Sequence, residues 1–405
     1  MLSRRQFLSL TGGAGALITA GGWTSLVREQ IETAAALSRP TRTLVVVQLG
    51  GGNDGLNTVV PDDGRYRDVR PRLAIAEAEV IRPARMAGAG LHPALAPVVP
   101  RWDAGHLAVV QSLGYAHAGR SHFECSQHWW DGTDPMSPSS TGWLGRWLDA
   151  TAGDGRDHPL RAIALGAGMP ALRAERSIAT VVLRPEAFAV RAPRRVDATA
   201  LTDAFAATAA PVSPDAMIAA SQRSVTSALA AVDLLAEPLA GAGARDGLAD
   251  QLALVGDLIV RRLGTEVITC GVGGFDTHAT QAADHAALLG DLAAGLDRLW
   301  QAIVAGGVED HVLVMTTSEF GRRVAENGSL GTDHGLGGCQ LMLGTGVRGG
   351  MVGDVDLGHL HQGDLHPTID PRSLYATALD WLGGPTDEVL DGYEDLGILT
   401  TTAVP

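Results

Sequence analysis

The apolar run Leu44-Val45-Val46-Val47-Gln48-Leu49 stops abruptly at Gly50-Gly51-Gly52-Asn53-Asp54-Gly55, and no other feature limits the possible folds as sharply. So short and β-branched a run predicts a strand covered on both faces, as in a parallel sheet. Glycines at its end let the backbone turn with positive φ and keep side chains away from an incoming ligand. In open α/β sheets, ligands bind beyond the carboxyl ends of the strands. The one carboxylate in this loop, Asp54, reads either as an Asx-turn or as a metal ligand.

Further short apolar runs at residues 107–112, 161–165, 179–183, 266–270 and 312–316 predict strands of the same kind. Between them, helical patterns cover 121–130, 142–149, 214–235, 245–263, 280–303 and 371–382. Strand alternating with helix implies an α/β fold with a mainly parallel sheet. Residues 184–211, rich in proline, arginine and alanine, read as a long connection. With the alanine-rich helices that follow, residues 185–263 form an expected helical connection or cap within one domain over 42–384, and 385–405 is a tail. Trp129, Trp130, Trp143 and Trp147 fall at helical spacings and read as packing residues.

The formal net charge of −14 speaks against a nucleic-acid partner, whose phosphates need a basic face. The chain has no lysine, so all 31 basic side chains are arginine. Schiff-base chemistry, lysine-bound pyridoxal phosphate and the P-loop lysine are thereby excluded. Cys125, Cys270 and Cys339 lie far apart without a Cys-x-x-Cys pair and read as buried free thiols. Near the start, Arg4-Arg5 precedes a short, glycine-broken apolar stretch, which resembles a twin-arginine export signal over residues 1–36, with cleavage after 34–36. That stretch is too short to span a bilayer. The expected location is the periplasm or beyond, the expected partners are the twin-arginine translocase and a small-molecule or glycan ester, and no stable membrane span is expected.

Other strand ends repeat the first one's pattern. The run at 266–270 leads into Gly273-Gly274-Phe275-Asp276-Thr277-His278, and that at 312–316 into Ser318-Glu319-Phe320-Gly321-Arg322, followed by Asp333-His334-Gly335. Aspartate with histidine suits zinc, and oxygen-rich sets suit manganese or calcium. Asp276 could instead cap a helix and Asp333-His334 could be a surface turn. In Gly119-Arg120-Ser121-His122-Phe123-Glu124, Ser121 opens a helix, where backbone N–H groups favour an anion and an activated hydroxyl. Ser121-x-x-Glu124 is equally a capping box.

Residues 44–61, Arg120 to Phe123, Thr141 to Arg146, Gly273 to His278, Ser318 to Arg322 and Asn327 to Gly335, in that order, resemble the DUF1501 family. That family is typically exported by the twin-arginine route and is similar to the alkaline phosphatase and sulfatase superfamily. The resemblance implies a three-layer α/β/α sandwich whose strand-end loops hold two divalent ions. Carried over by position, it implies Asp54 as ligand of one metal, Asp276 and His278 of the second, Ser121 as nucleophile, and Arg120 and His122 as holders of an anionic group. Asp333-His334 matches the late Asp-His-Gly element, and Glu319 stands in for an aspartate ligand.

This chain departs from the superfamily in three places. Asp276 and His278 are closer than the usual spacing, so His285 is an alternative ligand, and Phe320 stands where relatives have a histidine. No formylglycine element of the form Cys- or Ser-x-Pro-x-Arg is expected, against the ordinary sulfatase mechanism. His366, with His359 and His361 near it, is a further possible ligand. The implied function is a metal-dependent hydrolase or transferase acting on a phosphate or sulfate ester. Its rivals are a non-catalytic metal- or glycan-binding member of a cell-surface assembly and a secreted structural protein without metal.

Overall fold

The computed structural model describes residues 42–400 apart from 117–118, 154–157, 167–169, 210–212 and 241–246. The expected export signal in residues 1–36 lies outside the described residues. Along the chain the strands are β1 (Thr43–Leu49), β2 (Val59–Pro61), β3 (Ala89–Leu91), β4 (Leu107–Leu113), β5 (Ala162–Leu165) and β6 (Thr180–Val182). They continue with β7 (Val267–Val272), β8 (Val312–Thr317), β9 (Gly321–Arg322), β10 (His334–Gly335), β11 (Gly338–Leu343) and β12 (Gly350–Val352). The helices are α1 (Gly55–Thr58), α2 (Gly64–Val69), α3 (Val99–Asp103), α4 (His122–Asp131), α5 (Trp143–Ala150) and α6 (Ala198–Ala209). After them come α7 (Ala216–Ala236), α8 (Leu248–Val260), α9 (Gln281–Ala305), α10 (Pro371–Leu382) and α11 (Thr386–Leu390).

One large sheet runs in the order β12-β4-β11-β8-β1-β7-β5-β6, and β1 at its middle pairs in parallel with β7 and β8. Alternate residues of β1 explain its continuous apolarity. Val45, Val47 and Leu49 enter a core shared with α7, α8 and α9, whereas Leu44 and Val46 enter a second core with α4, α5, α10 and α11. The protein is therefore a three-layer α/β/α sandwich, as expected. Trp143 lies in the second core, stacked on Tyr375 at 4.5 Å between ring centroids.

Besides short elements such as β2, β3 and β12, three larger features differ from the sequence reading. β11 is antiparallel to both β4 and β8 and separates them. Glycines on both sides of it, from Gly335 to Gly346, disguise it as loop. Within the expected connection at 184–211, residues Ala198–Ala209 form α6, because alanine's helix propensity acts even where few side chains are buried. The expected tail also packs: Val389, Leu390 and Ile398 are buried in the second core, and Leu399 bridges to Val347.

Glycines set the contact between α8 and α9. A Cβ on Gly295 would lie 2.7 Å from Leu252 Cδ1 and 2.9 Å from the Ala249 Cα, whereas one on Gly290, in the same helix, would meet only Ala94 Cβ at 3.9 Å. Gly290→Ala should therefore stabilise the protein by about 0.5–1 kcal/mol through helix propensity. Gly295→Ala should destabilise it by about 1–3 kcal/mol through overpacking, despite the same propensity gain. Urea unfolding midpoints moving in opposite directions are the expected result, and a shared direction would refute the packing account.

Candidate functional site

β7, β1, β8 and β4 all end at one edge of the sheet, since β11 alone runs against them. Their following loops supply the side chains picked out from the sequence. The glycines after β1 turn with positive φ as expected, but the space beside them is not left for a ligand. Gly51 (φ +118°) has no room for a Cβ, which would fall 2.3 Å from the Asp276 nitrogen, and one on Gly52 (φ +82°) would fall 2.2 Å from the Phe320 ring. The space they leave is filled by the loops after β7 and β8.

Arg322, fully buried on β9, ties these loops together. Its Nε donates to Gly52 O (2.7 Å), its Nη1 to Thr332 O (2.8 Å), and its Nη2 to Phe275 O (2.9 Å), Gly51 O and the Asp276 carboxylate (2.7 Å). Asp276 is thereby fixed at the centre of a ring of imidazoles. Its carboxylate lies 2.9 Å from His278 Nε2, 3.1 Å from His334 Nε2 and 3.3 Å from His122 Nε2. Burial works to raise its pKa, but the Arg322 hydrogen bond, with His334 and His278 beside it, brings it down to about 2.

Each imidazole is held from behind. His334 Nδ1 faces the Arg120 carbonyl at 2.8 Å, His278 Nδ1 faces Asp333 at 3.3 Å, and His122 Nδ1 faces Glu319 Oε1 at 3.1 Å. A carbonyl accepts only, so His334 must donate from Nδ1, and Nε2 is the nitrogen that would offer its lone pair to a cation beside Asp276 whenever the ring is neutral. His278 Nε2 lies 2.9 Å from that same nitrogen. Convergence of imidazole lone pairs and a carboxylate, with the opposite ring nitrogens hydrogen-bonded, is the donor set a divalent cation requires. Ligand atoms of His122, Asp276 and His334 lie within 4.8 Å of one another.

Ser121 is exposed at the N-cap of α4, and its side chain makes no capping hydrogen bond, so the capping box is not formed. Its neighbours on both sides reach the cluster, Arg120 through its carbonyl and His122 through its ring. The Arg120 side chain pairs with Asp364, a fully buried carboxylate that also holds Arg323 at 3.3 Å.

Residues 109–402 match the family model described as a protein of unknown function (DUF1501). The chain belongs to the DUF1501 family. No curated protein matches the sequence. Among solved structures, this DUF1501 protein is loosely similar to Ps i-CgsB in complex with k-i-k-neocarrahexaose (10% identity, 88% of this chain and 78% of that one, TM-score 0.42). It is also similar to the lipoteichoic acid synthase LtaP from Listeria monocytogenes (8% identity, 93% and 82%, TM-score 0.41). A third is a protein in the alkaline phosphatase superfamily from Vibrio parahaemolyticus (9% identity, 92% and 77%, TM-score 0.40).

Of the residues chosen from sequence, the DUF1501 fold gathers His122, Asp276, His278, Glu319 and His334, with Asp333 behind His278 and Arg120 behind His334. Asp54 has other partners. Its fully buried carboxylate pairs with the equally buried Arg70 at 2.6 Å and accepts from Gln281, and its other oxygen has no hydrogen-bond partner. Burial works to raise the Asp54 pKa, but Arg70 overrides it and holds the group below its ordinary value.

His285, the alternative to His278, is buried 2.9 Å from Asn53 Oδ1, with its pKa lowered to about 4, first of all by burial. His366 is exposed and has His361 as its ring neighbour, while His359 pairs with Asp356. One Ser-x-Pro-x-Arg run does occur, at Ser38-Arg39-Pro40-Thr41-Arg42, contrary to the expectation of none. It precedes β1 and, apart from Arg42, lies outside the described residues.

Sequence reasoning passed over Arg70, Gln281, Arg322 and Asp364. Arg322 closes the run Ser318 to Arg322 and was recoverable as a cation at a strand end. Arg70 carries no local signal. Arg70→Met should cost about 3–5 kcal/mol, because it strands a buried carboxylate, and adding Asp54→Asn should restore part of that loss. Chemical denaturation of both variants tests this, and simple additivity of the two changes would refute the pairing.

Proposed function

We propose that this protein is an exported, metal-dependent hydrolase or transferase acting on a phosphate or sulfate ester, with Ser121 as its nucleophile. The observation that carries this reading is a helix-opening serine, not engaged in capping, whose two chain neighbours are both bound into a cluster of three imidazoles and a carboxylate. His122, Asp276, His278 and His334 would hold a divalent cation. Such an ion supplies Lewis-acid stabilisation of charge on oxygen when bound.

The chain's own groups do the rest. Free backbone N–H groups in the first turn of α4 favour the negative oxygens of the ester group. The half-exposed Arg120, steered by Asp364, adds a positive charge beside them. Ser121 Oγ attacks phosphorus or sulfur as its proton passes to water, the bond to the ester oxygen breaks and that oxygen leaves as an alcohol on taking a proton from water, and water or an acceptor alcohol then cleaves the seryl phosphate or sulfate, returning a proton to Ser121 Oγ. Glu319 and the Arg120 carbonyl keep His122 and His334 in place throughout.

Export rests on the paired arginines and the short apolar stretch that follows them. No helix among the described residues is long and apolar enough to cross a membrane.

A non-catalytic metal- or glycan-binding role is favoured by one observation. Phe320 stands where a ligand was expected and packs on the His334 ring at 4.3 Å. Turnover decides between the two. With zinc- or manganese-loaded protein and nitrophenyl phosphate and sulfate esters, Ser121→Ala should lower the rate by more than about 10³-fold, or roughly 4 kcal/mol, with metal content unchanged. Equal rates for parent and variant would remove Ser121 as nucleophile, and no turnover by the loaded parent would leave the binding role.

A further inference from the structure

Two-metal centres hold their ions about 3.5–4 Å apart, each with its own donors. Here the donors suffice for one ion. His122, His278 and His334 all aim Nε2 at the single carboxylate of Asp276. The other carboxylates each have one oxygen committed. Asp54 Oδ2 is neutralised by Arg70 and bonded by Gln281, and Glu319 Oε1 accepts from the Gly51 N–H at 2.7 Å and faces His122, which leaves only the buried Asp54 Oδ1 and Glu319 Oε2 without a hydrogen-bond partner. Asp333 touches His278 on the ring nitrogen away from the cluster. Phe320 offers no donor, and its ring fills the space over Gly52, 4.9 Å from the His122 ring and 4.3 Å from that of His334.

What the centre has in place of a second ion is a fixed positive charge. The Arg322 guanidinium, with no exposed side-chain surface, sits 2.7 Å from the same Asp276 oxygen that His278 and His334 approach. Four backbone carbonyls hold it there. A guanidinium is the side-chain cation least able to lose its proton in a protein.

We infer that this centre takes one divalent cation, on His122, Asp276, His278 and His334, and that Arg322 supplies the second positive charge beside it. The inference rests on the reading of this cluster as a metal centre. It concerns ion number and the role of Arg322, neither of which follows from the Ser121 chemistry.

The test is stoichiometry. The full folded chain is stripped with chelator, titrated with zinc or manganese by calorimetry, and assayed for bound metal after dialysis. One ion per chain is the expected result. Two ions would overturn the inference while leaving the metal reading intact, and none would overturn both. The Asp54→Asn/Arg70→Met pair, which avoids a stranded charge, should still bind one ion with affinity within about threefold of the parent, whereas loss of the ion would make Asp54 a ligand.

For Arg322 the sign of the effect is diagnostic. Arg322→Gln with native circular dichroism should bind the ion about tenfold more tightly, because a competing positive charge has gone. Weaker binding by that folded variant would reduce Arg322 to a brace and overturn its assigned role. If the variant does not fold, the parent's stoichiometry still decides the ion number, and Arg322→Lys, which keeps the charge, should bind within about threefold of the parent. Tighter binding by the lysine variant would overturn the charge role.

Discussion

A buried guanidinium needs acceptors for all its donors, and Arg322 finds them in the loops after β1 and β7 and in the turn before β10. Those loops have little else to fix them against one another, since glycines make up much of their length. Arg322 converts them into a single surface, and Asp276, bonded to the same group, is held where imidazoles from its own loop and from two other segments can reach it. Loss of that one side chain would strand backbone carbonyls of Gly51, Gly52, Phe275 and Thr332 in the interior, each at the cost of an unmade hydrogen bond.

Around this knot the site is a two-layer construction. Asp276 and the imidazole Nε2 atoms form the inner layer. Glu319, Asp333 and the Arg120 carbonyl form the outer one, and choose which nitrogen of each ring faces inward. Asp364 supports this from farther out by fixing Arg120 and Arg323. The nucleophile candidate is carried on the outer layer, so its position depends on the same hydrogen bonds that orient His122 and His334.

Much of this was legible in the sequence because local pattern and tertiary role coincide. β1, β7 and β8 are apolar throughout since both faces are covered, and their glycine-rich exits mark the site edge. His278, only two residues from Asp276, still reaches both Asp276 and His334. The Arg70 pairing of Asp54 was not legible, because a carboxylate at a strand end looks the same from sequence whether its partner is an ion or an arginine 16 residues away in the chain. Nothing near Arg70 signals the pairing, which arises only when α2 is followed to its end beside the loop after β9. β11 was hidden for a different reason: its pairing partners, not its own residues, make it a strand.

That antiparallel strand orders events along the chain. Among the described residues β4, which carries the arm bearing Ser121, pairs with β11 and β12 and bridges to Ile369, all drawn from after residue 337. Strands β8, β1, β7, β5 and β6 can pair among themselves beforehand. The imidazole of His122 therefore joins Asp276 late, after a loop of more than 200 residues has closed, and contacts so distant in sequence are the slow ones to form. A nascent or truncated chain that stops short of β11 would have the loops after β1, β7 and β8 but not the strands that β4 pairs with, so the segment bearing Ser121 and His122 would have no place in the sheet to dock until the chain is nearly complete.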